Sequence, residues 1–273
     1  MREDRPADDP GDQPAASAGA PDGGPVQAPR WWWTVGGLLA VGLLLVSVQV
    51  MLGVGLVHVD LAVHFDAWRR PFEHLREPAL ILQDLGQRGP VALAVGACAG
   101  WLAHRRRTVR PLTLFAASVV GLNLAVGTVK VVTARPRPYS GVAEAFTGGL
   151  QYPSGHASNA VLMWGLLAYL LLRFARRPLS VAGMVAAVVS IAGVVGVSSL
   201  LLDYHWFSDI IGGWLAGALI LWGVVLFDHR WAGGVEDWAV GLWRRLRRQA
   251  AVSAPPRSPA SGSLAPASPR PPV

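Results

Sequence analysis

The 273-residue chain is short of two kinds of residue, and each shortage excludes something. It has one cysteine, Cys98. A single thiol cannot close an internal disulfide, so no disulfide framework exists, and its place inside an apolar run predicts a small helix filler. Charged residues make up only 15% of the chain against 52% hydrophobic. An ordinary soluble domain needs about 25% charged residues to cover its surface. The few carboxylates do not cluster in a pattern that would hold magnesium, and neither a metal nor a cofactor is expected. No short apolar region with a small-residue cleavage site opens the chain, and its first apolar run is too long and too late for a removed signal peptide.

The net charge of +7 raises nucleic acid as a partner, but the arginines lie in short runs between long apolar stretches. That is the pattern of cytoplasmic loops in a membrane protein, so the bilayer is the expected partner and nucleic acid is not. Six apolar segments can be drawn: Thr34 to His58, Gly89 to Ala103, Leu112 to Thr133, Ala157 to Leu172, Leu179 to Leu202 and Trp206 to Phe227. A spanning helix needs about 20 residues, so the second is extended back toward Leu80 and the fourth on through Phe174. Residues 1–29, rich in Asp, Pro, Gly and Ala, and 250–273, rich in Pro, Ser, Ala and Arg, are expected to be disordered tails. Residues 30–229 form the membrane domain, and 230–249, with Trp231, Trp238 and Trp243 among arginines, read as a basic amphipathic segment on the inner leaflet.

Arginine placement sets the expected orientation. Arg105, Arg106, Arg107 and Arg110 lie between segments two and three, Arg173, Arg176 and Arg177 between four and five, and Arg244, Arg245, Arg247 and Arg248 after six. With six spans these clusters share one side, the cytoplasm, with both termini, and Trp31, Trp32 and Trp33 anchor the first helix there. Residues 59–88 then form an extracytoplasmic stretch with a short interfacial helix, carrying Asp60, Trp68, Arg69 and Arg70.

The residues that carry chemistry fall at the opposite ends of segments three to six. Lys130, Arg135 and Arg137 occur in Lys130-Val-Val-Thr-Ala-Arg135-Pro136-Arg137-Pro138. Such cations can simply snorkel to headgroups, but fixed by two prolines they also make a rigid rim that suits phosphate. Pro153-Ser154-Gly155-His156 precedes segment four. Ser154 suits an N-cap, Gly155 lets an anion approach the backbone, and free amides at a helix start bind anions. His205 and Asp209 are four residues apart, one turn on one helix face. The carboxylate can fix the histidine tautomer and leave its other nitrogen free as a nucleophile, although a purely structural pair would look the same.

Together these strings resemble the type 2 phosphatidic acid phosphatase family, which shares its core with vanadium haloperoxidases. Lysine, six residues, then Arg-Pro is met by Lys130, Arg137 and Pro138; Pro-Ser-Gly-His is met in full; Ser-Arg, five residues, His, three residues, Asp is met by Ser198, His205 and Asp209. The family's third-motif arginine falls at Ser199 here, and Arg135 is expected to reach phosphate in its place. The resemblance covers about residues 111–227 and implies an all-α fold, a six-transmembrane-helix bundle with a haloperoxidase-like core.

It also implies a metal-independent phosphatase at the outer face of the plasma membrane. His205 attacks phosphorus with Asp209 behind it. Lys130, Arg137 and the Ser154–Gly155 amides hold the oxygens, and His156 moves the proton. The implied substrates are lipid phosphates or pyrophosphates, among them isoprenoid pyrophosphates, phosphatidic acid and phosphatidylglycerol phosphate. A lipid phosphotransferase, a weakened member that binds or moves phospholipid, and a vanadate haloperoxidase are the alternatives.

Overall fold

The computed structural model describes residues 30–64, 70–175 and 178–230, with Gly234, Gly241 and Arg245 beyond them. The expectations for both tails, for residues 230–249 as a segment, and for Trp68, Arg69, Arg176 and Arg177 lie outside those residues. Everything described is helix and loop, in eight helices: α1 Arg30–Leu52, α2 Leu56–Val63, α3 Arg76–Gln83, α4 Arg88–Arg106, α5 Arg110–Thr133, α6 Gly155–Phe174, α7 Val181–Leu201 and α8 Phe207–Arg230. Short 3₁₀ turns precede α3, link α3 to α4 and follow α5.

Among the described residues five helices, α1, α5, α6, α7 and α8, are long and apolar enough to cross a membrane. The expected sixth span is α4. Its 19 residues reach about 28 Å at 1.5 Å per residue, close to the bilayer core, but Gly and Ala dilute its middle and His104, Arg105 and Arg106 crowd its end. The backward extension toward Leu80 is not realised. Gln87 is extended, with ψ 131°, and α3 is a separate helix. The reason is packing: a Cβ on Gly86 would lie 2.8 Å from the His156 carbonyl and from Val195, so the turn before α4 is seated on α6 and α7 instead of continuing a helix. The first apolar segment is also two elements, broken by Gly53 and Gly55 at positive φ.

The core runs along the middle of the bundle. Val95, Ala99 and Leu102 of α4 meet Leu114 and Leu122 of α5, Leu162, Leu166 and Leu170 of α6, and Ala216 and Val224 of α8. Cys98 is half-buried against this cluster. Between α6 and α8 the backbones touch: a methyl on Gly213 would lie 2.7 Å from the Ser154 carbonyl, and one on Gly217 2.5 Å from that of Ser158. Only glycine allows that approach. One end of the bundle is tied by Asp228, whose carboxylate accepts from Arg110 Nε at 3.0 Å and Tyr169 Oη at 2.6 Å. Arg106 closes the same end by donating to the Phe174 carbonyl at 2.6 Å. The other end, where α5 and α7 finish and α4, α6 and α8 begin, carries the candidate site residues.

Candidate active site

At that end the chain leaves α5 through Ala134, in the left-handed region at φ 42°, and the loop to residue 153 folds back on it. Phe146 and Gly148 amides donate to the Thr133 and Ala134 carbonyls, and the Gln151 amide to that of Arg135. Lys130 Nζ then donates to the Leu150 carbonyl and, at 3.2 Å, to that of Gln151, which fixes its ammonium at the rim.

Helix α6 begins as its sequence requires. Ser154 Oγ accepts the Ala157 amide at 3.3 Å, an N-cap. The Ser154 amide, however, donates to the Asp209 carbonyl at 2.8 Å, and Ser154 is fully buried. Its amide therefore cannot hold a phosphate oxygen, which corrects the sequence expectation. At the start of α6 the Gly155 and His156 amides have neither a backbone nor a side-chain acceptor among the described residues. A five-residue π-helical turn, Ala160–Trp164, follows one turn below.

His205 lies in the loop before α8 with 7% of its surface exposed, and its Nδ1 is 3.3 Å from Asp209 Oδ2. The same oxygen accepts the Trp206 amide at 3.1 Å. A carboxylate is an acceptor only, so it selects the tautomer with the proton on Nδ1 and leaves the Nε2 lone pair free. Burial pulls the imidazole below its ordinary value, against the opposing pull of Asp209.

Behind Asp209 is a buried network that the sequence did not suggest. Arg135 Nη1 donates to Asp209 Oδ1 and to Ser208 Oγ, each at 2.7 Å, Nη2 donates to Asp60 Oδ2 at 2.7 Å, and Nε to the Ala143 carbonyl at 2.8 Å. Asp60 also accepts the Ser208 amide at 2.7 Å and its hydroxyl at 2.6 Å. Burial raises the Asp60 carboxyl, while Arg135 and Ser208 lower it. Arg135 is 0% exposed and stands 5.4 Å over the Trp206 ring. It does not reach the cleft, so it cannot replace the arginine missing at Ser199. Four of its five N–H donors go to protein acceptors. Ser199 is itself buried, bonded to the Val195 carbonyl at 2.8 Å, and adds nothing to the cleft. Asp203 places Oδ1 3.3 Å from His64 Nδ1.

The cleft itself holds about 760 Å³. Lys130, Arg137, Gly155, His156 and His205 line it, as the sequence led one to expect, together with Gln87 and Arg88, which it did not single out. Its walls carry three cations and no carboxylate. His156 Nε2 is 3.0 Å from Gln87 Oε1. No group of three or more His, Cys, Asp or Glu side chains that could hold a metal occurs among the described residues.

Residues 111–232 match the family model of the PAP2 superfamily. Over 82 residues the chain is 30% identical to phosphatidylglycerophosphatase B of Bacillus subtilis (strain 168), a match that covers 29% of this chain and 39% of that protein. The fold is similar to the crystal structure of a transmembrane PAP2 type phosphatidylglycerolphosphate phosphatase from Bacillus subtilis, with a TM-score of 0.58 and 22% identity, over 71% of this chain and 95% of that one. The bundle is thus a membrane-spanning PAP2 fold. The matched segment takes in Lys130, Arg137, His156, His205 and Asp209, whereas Asp60, Gln87 and Arg88 precede it.

Proposed function

We propose that the protein is a membrane phosphatase that removes phosphate from a lipid phosphate or pyrophosphate through a phosphohistidine. The observation that carries this is a buried imidazole, its Nδ1 held by Asp209, facing a cleft with three cations and no carboxylate. In this reading His205 Nε2 forms a bond to phosphorus as the bond to the lipid-side oxygen breaks, and Asp209, backed by Arg135, stabilises the imidazolium that results. Lys130, Arg137 and the Gly155 and His156 amides hold the three equatorial oxygens, where the transition-state charge is spread. His156 protonates the leaving oxygen, then takes a proton from the water that cleaves the P–N bond and releases inorganic phosphate. Gln87 Oε1 stands where that leaving oxygen would accept from His156 Nε2.

The far end of the bundle carries Arg105, Arg106, Arg107, Arg110 and Arg173, which supports a cytoplasmic placement there and an extracytoplasmic cleft. The names of those relatives support phosphatidylglycerol phosphate as a candidate substrate, beside phosphatidic acid and isoprenoid pyrophosphates.

The test is phosphate release from a panel of such lipids by the purified protein in EDTA. Turnover of at least one lipid that survives chelation is the expected result. A folded protein that binds the lipids but releases nothing would instead be a lipid-binding member, and transfer to an alcohol in place of water would make it a phosphotransferase. The buried environment of His205 gives a second expectation. An imidazole attacks only when neutral, and burial lowers the pH at which it gains a proton. Activity should therefore persist as pH falls past 6.5, the ordinary histidine value, and be lost only below it. An acid limb of kcat/KM at or above 6.5 would contradict the assignment.

A further inference from the structure

Arg88 is the cation in the cleft that none of the sequence motifs contains. Its place is built by the same helix that presents the oxyanion amides. Asn159 Nδ2 donates to the Gly86 carbonyl at 3.1 Å, and Trp164 Nε1 to that of Leu85 at 2.8 Å, so α6 holds the turn from which Arg88 emerges. The guanidinium hangs over Gly155: a Cβ there would lie 3.2 Å from Nη2 and 3.8 Å from both Cζ and Nε. Arg88 Nη1 donates to Asn123 Oδ1 at 3.3 Å, and Asn123 is oriented by its own bond to the Val119 carbonyl at 2.8 Å. Arg88 forms no ion pair with a carboxylate among the described residues, in contrast to Arg135, whose donors are spent on Asp60 and Asp209. A guanidinium has five N–H donors in a fork that matches two phosphate oxygens.

We propose that Arg88 is a phosphate ligand of this cleft. It closes the side over the Gly155 and His156 amides and completes, with Lys130 and Arg137, a three-cation cradle. This rests on the phosphatase reading for its purpose but not for its test. A cation that merely sat at the membrane surface would leave anion binding unchanged.

The experiment measures binding of inorganic phosphate to the full chain by calorimetry, so no turnover is needed. Arg88→Ala should weaken binding by about 10- to 100-fold, the range for one charged hydrogen bond to phosphate, and should flatten its salt dependence. Arg88→Lys should recover part of the loss. Arg106→Ala, at the far end of the same helix, should bind as the unaltered protein does. The melting temperature of each variant is recorded beside it, and Arg88→Gln, which keeps a donor on a stem, serves if the alanine variant does not fold. Binding unchanged in folded Arg88→Ala, equal weakening in Arg106→Ala, or no phosphate binding by the unaltered protein would each overturn the proposal. Weakened phosphate binding in a protein that hydrolyses no lipid would uphold Arg88 as an anion ligand and sink hydrolysis alone.

Discussion

His205→Ala is expected to abolish phosphate release, by about 10⁴-fold or more, while phosphate binding survives. Loss of a covalent nucleophile removes the step itself, and what remains is only the stabilisation that the cradle gives to attack by water. His205 lies in the loop before α8, outside the packed helices, with its side chain bonded to Asp209, so truncation should leave the bundle folded. The measurement is single-turnover phosphate release in EDTA, beside calorimetric phosphate binding. A variant with substantial remaining turnover would remove His205 from the chemistry and make its pairing with Asp209 structural. Loss of binding in step with turnover would mean that the ring positions the anion and does not attack it.

Arg135→Ala should lower stability by about 3–5 kcal/mol, the cost of breaking a buried ion pair from one side. Arg135 is 0% exposed and its two carboxylate partners are as deeply buried. Without the guanidinium two negative charges share one dry site, and at least one must take up a proton. Activity should fall as well, because Asp209 then fails to hold His205 in its tautomer. Arg135→Lys should recover little, since a single ammonium cannot reach Asp60, Ser208 and Asp209 as a fork does. Thermal melting in detergent reads the loss. If Arg135→Ala melts like the unaltered protein but no longer binds phosphate, the expectation drawn from the sequence, that this arginine serves the substrate, was right after all.

The contrast between Arg135 and Arg88 also shows what the sequence could tell. Lys130, Arg137, His156, His205 and Asp209 were legible because each sits at a helix end at a fixed spacing from its companions, and helix ends are where apolar runs stop. Which of several cations faces the cleft was not legible. Arg135 and Arg137 are two residues apart, which puts their side chains on one side of an extended chain but on different sides where the chain turns, so the loop's path decides. Burial decided the matter, because Asp60 arrives from a helix 75 residues earlier. The available signal was a lone carboxylate in the apolar string Leu56-Val-His-Val-Asp60-Leu-Ala-Val, a costly thing to bury without a partner. Gln87 and Arg88 were missed for another reason: the second apolar segment was carried back through them as one helix, which hid the turn that aims both residues into the cleft. The Ser154 amide was misjudged because its acceptor, the Asp209 carbonyl, is contributed by another helix.

The buried network has a consequence for the order in which the protein becomes competent. Asp60 and Arg135 are both made before α8, and can satisfy one another while the chain is still being synthesised. Asp209 and Ser208 enter that pair from α8, and the same helix brings Gly213 and Gly217, against which the start of α6 is seated. His205 stands at its threshold. A chain without α8 and the loop before it would thus lack Asp209 and His205, and the start of α6 would lose the surface on which it is seated.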